Sequence, residues 1–183
     1  MVTQNPKHKL TYEDYAETPE GEKWELIDGE LVMAPSPKRA HQRSQMKLGT
    51  RLSFHAEEQD LGEVYSDFDV TLSRTETVRP DLIFISKERL HVITEDNVQG
   101  APDLVVEIRS PSTARQDWTV KRELYARYGV EEYWLVDPEA ATVAVLLLDG
   151  GELRVAGVYG ERDTLTSAVM GGLSIELTDV FSG

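Results

Sequence analysis

The chain has 183 residues, which suits one domain built around a sheet, and it lacks cysteine, which excludes disulfides and thiolate metal sites. Its formal net charge of −14 argues against a broadly basic, nucleic-acid-binding surface. No apolar run is long enough to span a membrane, and the N-terminus lacks the apolar core of a signal peptide. We therefore expect one cytoplasmic domain over residues 1–183, with about the first ten residues flexible.

The N-terminal third predicts a short helix, a hairpin and a long helix. Thr11 and Asp14 have the spacing of a capping box, which predicts an opening helix that ends near Pro19. The segment WELIDGELVM predicts a β-hairpin, because Asp-Gly between two apolar runs is typical of a tight turn. From Lys38 to about Asp60, a stripe at helical spacing predicts the first long helix. Its members are Ala40, Ser44, Leu48, Leu52 and Ala56.

The rest of the chain predicts a sheet with one crossover. Three extended segments are expected at 63–72, 79–86 and 102–110, with a connection at 87–101 that holds a short helix. Ser112 suits the N-cap of a second helix that Gly129 ends. The strand EEYWLVDP follows that helix at once, which predicts a parallel strand pair, and 141–160 predicts a terminal hairpin. The fold class is therefore α/β, with a mixed sheet flanked by helices.

Glu107 lies inside the apolar run LVVEI, where a lone carboxylate is costly unless a partner or a cation neutralises it. Asp103 is four residues away on the same face, so a strand separates the two by about 13 Å. Asp81 belongs to a different predicted strand, and neighbouring strands lie only about 4.8 Å apart. We expect Asp81 and Glu107 to converge, as a pair suited to Mg²⁺.

The helix after Glu107 offers cationic and phenolic groups to the same place. Asp117, Lys121, Tyr125 and Tyr128 share one helix face, and an amine there is able to position or deprotonate a water. The structural alternative is an ion pair of Glu107 with Arg109 or Lys121, which carries about half the weight. Asp117 and Lys121 also fit an ordinary helix pair.

One segment of the acidic chain is locally basic. Residues 31–56 contain no acid but five bases, which are Lys38, Arg39, Arg43, Lys47 and Arg51. A phosphate-facing surface and a solvated helix face are about equally favoured.

Four segments together resemble a known group of proteins. They are WELIDGELV, RPDLIFIS, APDLVVEIRSPST and the pattern D-x-x-x-K-R-x-L-Y-x-x-x-G-V-x-E-Y-W-L-V-D-P that begins at Asp117. They resemble a large group of bacterial restriction endonuclease-like proteins within the PD-(D/E)xK nuclease superfamily. The resemblance runs from about Leu10 to Phe181, and it implies a restriction endonuclease-like central sheet with an N-terminal and a C-terminal hairpin.

The resemblance implies a metal-dependent endonuclease that hydrolyses DNA with Mg²⁺ or Mn²⁺. Its motif carboxylates match Asp81 and Glu107, and its hairpin glutamate matches Glu25 as a further metal ligand. The motif lysine falls at Arg109, so the lysine role is expected at Lys121. The predicted catalytic residues are thus Asp81, Glu107 and Lys121.

The remaining roles have structural alternatives. Arg109, His41, Arg39 and Arg43 are expected to bind substrate, although a histidine at a helix start more often caps or packs. Glu25 fits an exposed hairpin acid about equally well. The resemblance also implies a homodimer. The alternative function is a catalytically inactive nuclease-fold module that binds nucleic acid or a protein, which the acidic charge and Arg109 favour.

Overall fold

The structure is a computed structural model that describes residues 9–19, 21–34, 36–109 and 117–182, with the backbone alone at 117 and 118. It confirms the predicted α/β class, because mixed sheets are flanked by helices. The predicted N-cap Ser112, the side chain of Asp117 and residues 1–8 of the expected flexible terminus lie outside the described part. No helix in the described ranges is long and apolar enough to cross a membrane.

A six-stranded sheet forms the centre of the fold, in the order β11-β10-β9-β8-β6-β3. Only β8 and β9 run parallel, which confirms the predicted crossover, and the other neighbours are antiparallel. The predicted C-terminal hairpin exists as β10 and β11, and it continues this sheet. The strands are β3 (Gly62–Ser66), β6 (Leu82–Ser86), β8 (Leu104–Ile108), β9 (Glu132–Asp137), β10 (Thr142–Asp149) and β11 (Glu152–Gly160).

A five-stranded sheet, in the order β2-β1-β5-β4-β7, carries the predicted N-terminal hairpin. Its turn residues Asp28 and Gly29 both have positive φ, which Asp-Gly pairs tolerate well. The strands are β1 (Trp24–Ile27), β2 (Glu30–Met33), β4 (Val70–Ser73), β5 (Glu76–Val78) and β7 (Val98–Gln99). A third sheet pairs β12 (Thr164–Thr166) with β13 (Ser174–Glu176).

The helices are shorter and more varied than the sequence indicates. A capping box opens α1 as predicted, and Gly129 ends α3 in the left-handed conformation. The lysine at the end of the π-helix directly precedes α3. The segments are α1 (Tyr12–Tyr15), α2 (Arg39–Glu58), a 3₁₀ helix (Lys87–Val92), a π-helix (Asp117–Lys121), α3 (Arg122–Tyr128) and α4 (Leu177–Phe181).

The strand predicted at 63–72 is wrong as one unit, because β3 and β4 belong to different sheets. Asp67 breaks the segment with a φ of 49°, a left-handed conformation that aspartate accepts more readily than most residues. The segment predicted at 79–86 likewise begins as a strand only at Leu82. The sequence prediction missed β5, β7, β12, β13 and α4.

The central sheet is buried on both faces. Leu104, Val106 and Ile108 point into the core that includes α2, whereas Val105 points into the core that includes α3. This alternation places Glu107 on the face of Val105, toward the π-helix and α3. Both faces of β8 are covered, so Glu107 is 4% exposed.

Candidate active site

Three buried carboxylates come from three separate parts of the fold. Glu25 lies on β1, Asp81 directly precedes β6 and Glu107 lies on β8, and their exposed fractions are 3%, 2% and 4%. In the β6–β8 ladder, Leu82 faces Val106. Continuing that antiparallel register brings Asp81 beside Glu107, in the adjacency that the sequence predicts.

Lys121 joins two of these carboxylates. Its Nζ lies 2.8 Å from Oε1 of Glu25 and 2.9 Å from Oε1 of Glu107, and the lysine side chain is 6% exposed. Tyr125 donates its hydroxyl to the same Glu107 oxygen at 2.7 Å. Burial and the negative charges of Glu107 and Glu25 raise the pKa of Tyr125 well above its ordinary value, so the phenol stays a donor.

Asp81 uses both carboxylate oxygens. Lys23 Nζ lies 2.9 Å from Oδ1, while His41 Nε2 at 3.1 Å and the backbone N–H of Ile108 at 2.7 Å contact Oδ2. Burial by itself would raise the pKa of the Asp81 carboxyl. The hydrogen bond with His41 and the charge of Lys23 outweigh burial and hold the pKa well below its ordinary value. Asp81 is therefore an anion at neutral pH.

Lys23 is the site residue that the sequence prediction missed. Besides Asp81 it contacts Asp67 at 3.2 Å, and its side chain is 25% exposed. Burial lowers the pKa of Lys23, but the negative charges of Asp81 and Glu107 outweigh burial. The pKa of Lys23 therefore lies above its ordinary value. A signal existed in the sequence, because residues 23 and 25 point to the same face of a strand.

His41 and Arg109 each keep one buried nitrogen without a hydrogen-bond partner among the described residues, namely Nδ1 of His41 and Nε of Arg109. Arg109 forms an ion pair with Asp137 at 3.0 Å, its neighbour on β9. The suggested Glu107–Arg109 pair is therefore not formed, and the suggested Glu107–Lys121 pair is. Both orphaned nitrogens leave a hydrogen-bonding position for a ligand.

The basic segment divides into two parts. Arg43 and Lys47 both donate to the carbonyl of Ser182, and Arg51 pairs with Asp179 of α4 at 3.0 Å. Lys38 and Arg39, at the start of α2, are exposed. The C-terminal segment therefore engages the later bases, and the exposed ones lie in the same helical turn as His41.

Asp103 lies outside the carboxylate cluster. It accepts from the backbone N–H of Ser86 at 2.7 Å and pairs with Arg89 at 2.8 Å. Asp103 and Glu107 therefore contact different residues, as expected for two carboxylates that lie far apart on one strand. Asp103 caps the end of β6, whereas Glu107 faces Lys121.

The cluster has the donor chemistry of a hard-cation site with ammonium groups in it. Within the residues that the structure describes, no three acidic or histidine side chains are arranged to hold a metal ion as they stand. Lys23 and Lys121 instead balance three buried carboxylates. The carboxylate oxygens of the cluster are the type of donor that a hard divalent cation such as Mg²⁺ prefers.

A family model described as "Putative restriction endonuclease" matches residues 11–178. The chain belongs to this family, Uma2. Glu25, Asp81, Glu107 and Lys121 all fall within the matched range. No functionally curated protein matches the sequence.

One solved structure shows the same fold, and two others match more weakly. A crystal structure titled as a putative nuclease belonging to DUF820, from Anabaena variabilis, matches with a TM-score of 0.79 at 20% identity, over 94% of this chain and 98% of that one. The type IIG restriction endonuclease BpuSI matches at 0.42 and 13% identity, over 82% of this chain and 16% of that one. A DrdV–DNA complex matches with a TM-score of 0.38 at 17% identity, over 79% of this chain and 14% of that one. The match at a TM-score of 0.79 shows that the Uma2 chain has a nuclease-like fold.

Proposed function

We propose that this protein is a metal-dependent endonuclease that hydrolyses phosphodiester bonds of DNA. The observation that carries the proposal is the meeting of Glu25 and Glu107 at the ammonium of Lys121, with Asp81 on the next strand. Buried carboxylates with a central amine are costly to assemble for stability alone, since apolar residues of similar size often serve as well. Such clusters of perturbed groups occur most often at functional sites.

Asp81, Glu107 and Glu25 would hold Mg²⁺ or Mn²⁺, which when bound supplies positive charge to a phosphate and its leaving oxygen. Asp81 is already an anion at neutral pH, as a metal ligand must be. Lys121 would position the attacking water by donating to it, and its contacts with both glutamates fix its place. Tyr125 holds Glu107 in orientation.

The substrate backbone would be held by cations around this cluster. Arg39 is exposed at the start of α2, and Arg109 has a buried nitrogen free of a hydrogen-bond partner within the described ranges. Guanidinium groups bind phosphate oxygens with paired N–H donors. His41 has Nδ1 available for substrate, and Arg43 would have to leave the carbonyl of Ser182 to contribute.

The proposal is tested by incubating labelled single-stranded and duplex DNA with Mg²⁺ or Mn²⁺ and separating the products on gels. Wild-type protein should cleave, and Asp81→Asn, Glu107→Gln and Lys121→Met should each lower the rate at least about 100-fold, as loss of a catalytic group does. Glu30→Gln changes an exposed acid of the hairpin that also carries Glu25, and it should leave the cleavage rate unchanged. Equal rates in wild type and Lys121→Met would refute the assignment of Lys121.

One observation favours a second candidate, a nuclease-fold module that binds without cleaving. Lys23 and Lys121 already neutralise the carboxylates, as in a structural ion-pair network. In that case DNA or a protein partner would bind with the same affinity with and without Mn²⁺. Binding that persists in Asp81→Asn, together with no cleavage in any metal, would decide for this module.

A homodimer is the assembly we propose, across β11. This strand is the outer one of the six-stranded sheet, and it exposes Val155 and Val158 by 46% and 63%. An unpaired strand edge with apolar side chains is a ready surface for pairing with a second copy. Light scattering should report twice the chain mass of 20.6 kDa for wild type and the mass of one chain for Val158→Lys.

A further inference from the structure

A groove between α2 and β3 adjoins the carboxylate cluster. It has a volume of about 790 Å³, within the range of small-molecule sites, and we name it the α2–β3 groove. Helix α2 forms one wall, and β3, the outer strand of the central sheet, forms the other. Its lining includes Gln42, Gln45, Met46, Phe54, Tyr65 and Asp67.

Two residues connect the groove to the cluster. Gln45 donates from Nε2 to Oδ2 of Asp67 at 2.6 Å and to the backbone carbonyl of Asp81 at 3.0 Å. Asp67 in turn contacts Lys23, which contacts Asp81. A ligand group in the groove would therefore lie next to any phosphate held at the cluster.

The charge of the lining excludes a phosphate from the groove itself. Among the described residues, no lysine or arginine lines it, while Glu57 and Asp67 do. A phosphodiester would meet two carboxylates there, and the cation that contacts Asp67, Lys23, is already shared with Asp81, so we expect the part of a substrate that enters to be uncharged. The polar groups that remain are neutral amides and hydroxyls, such as Gln42 and Thr50.

The apolar lining suits a flat ring. Phe54 is 64% exposed and Met46 is 71% exposed, and both line the groove from α2. Large apolar side chains that stay exposed on a soluble surface often mark a binding site. Aromatic faces stack with nucleobases, and glutamine side chains hydrogen-bond to base edges.

We propose that the α2–β3 groove binds an unpaired nucleobase of the substrate strand, stacked on Phe54 and hydrogen-bonded by Gln42. This inference deepens the proposed function and rests on it. A paired base is not able to enter a groove of this kind, because its edge and faces are occupied within the duplex. The substrate class is therefore single-stranded DNA, or duplex DNA with an unpaired base.

The test uses an oligonucleotide of about 12 nucleotides with one 2-aminopurine, single-stranded or annealed to its complement, with Ca²⁺ present. Wild-type protein should bind the single strand more tightly than the duplex and quench its fluorescence. Phe54→Ala should weaken single-strand binding by about 5- to 100-fold, which corresponds to the loss of one stacked base, and should leave duplex binding unchanged. Phe54→Trp should restore affinity.

Met33→Ala is the matched control, because Met33 is 58% exposed on β2 and does not line the groove. It should bind as wild type does. Equal single-strand affinity of wild type, Phe54→Ala and Gln42→Ala, with no quenching, would overturn the inference while DNA binding itself persisted. If wild type bound neither strand form and cleaved neither, the proposed function would fail as well.

Discussion

The Nζ of Lys121 lies 2.9 Å from Oε1 of Glu107, although the two residues are separated by 14 positions along the chain. In the PD-(D/E)xK motif that the sequence resembles, the lysine would follow the glutamate by two positions, where this chain has Arg109. Lys121 is the last residue of the π-helix, and its amine contacts the carboxylate of Glu107 from there. The ion pair supports a lysine supplied from the helix.

Removal of Lys121 should destabilise the fold as well as stop cleavage. Lys121→Met leaves two buried carboxylates without their shared cation, so we expect the free energy of unfolding to fall by about 3–5 kcal/mol. Urea unfolding followed by circular dichroism measures the change. Adding Glu107→Gln should restore part of the loss, because one uncompensated charge disappears.

Lys87→Met is the control for that prediction. Lys87 forms an exposed ion pair with Asp60, and such pairs contribute about 0–1 kcal/mol. A loss for Lys121→Met as small as that for Lys87→Met would contradict the bridging role of Lys121.

Arg109→Lys should keep both fold and cleavage. Arg109 pairs with Asp137 at 3.0 Å, and both side chains are partly exposed, so the free energy of unfolding should change by about 1 kcal/mol or less. The cleavage rate at saturating DNA should stay near that of wild type, whereas the DNA affinity should fall because a bidentate donor is lost. A rate as low as that of Lys121→Met would instead make residue 109 the catalytic position.

Asp81 should make stability depend on pH in a defined window. Its folded-state pKa lies below the unfolded value of about 3.9, so its stabilisation is fully present above about pH 4 and is lost as the pH falls through the folded-state pKa. Asp81→Asn should lower the free energy of unfolding by about 2–4 kcal/mol at pH 7. The difference in free energy of unfolding between wild type and Asp81→Asn should be the same at pH 5 as at pH 7. It should become smaller only below about pH 4. Asp96→Asn, at an exposed acid, is the control.

Glu132 should be essential for the C-terminal part of the fold. This fully buried carboxylate accepts from Trp134 Nε1 at 2.6 Å, Ser167 Oγ at 2.8 Å and the backbone N–H groups of Ala168 and Val169 at 2.8 and 3.0 Å. Glu132→Ala orphans these donors, so we expect a loss of about 3 kcal/mol or more in thermal or urea unfolding. Glu131→Ala, at the exposed neighbour, should change stability by about 0.5 kcal/mol or less.

Much of the site follows from strand geometry. Asp81 and Glu107 were predictable as neighbours, because their segments form adjacent strands, with Asp81 at the head of one apolar run and Glu107 inside the other. Lys121 and Tyr125 were predictable as one helix face, four residues apart. Assigning the lysine role to Lys121 also required the family resemblance, since spacing by itself allows an ordinary ion pair.

The rest depends on contacts between distant segments. The spacing of a strand puts Lys23 on the face of Glu25, but that spacing does not indicate that Asp67 and Asp81 converge on Lys23. From the sequence, Arg43 and Lys47 are as compatible with phosphate binding as with a solvated helix face. Only the structure shows that both donate to the carbonyl of Ser182. The separation of β3 from β4 depends on one left-handed residue, Asp67, which local patterns do not distinguish from an interior strand position.

Calorimetric titration of Mn²⁺ tests the central claim most directly, because it requires no choice of DNA substrate. The variants are Asp81→Asn/Glu107→Gln and, as the control, Glu30→Gln. We predict saturable binding to wild type and to the control, and its loss in the double variant, since the two carboxylates would supply the ligands. Circular dichroism confirms that each variant is folded. Equal Mn²⁺ binding by wild type and the double variant, or none by either, would contradict a metal-dependent site at these residues.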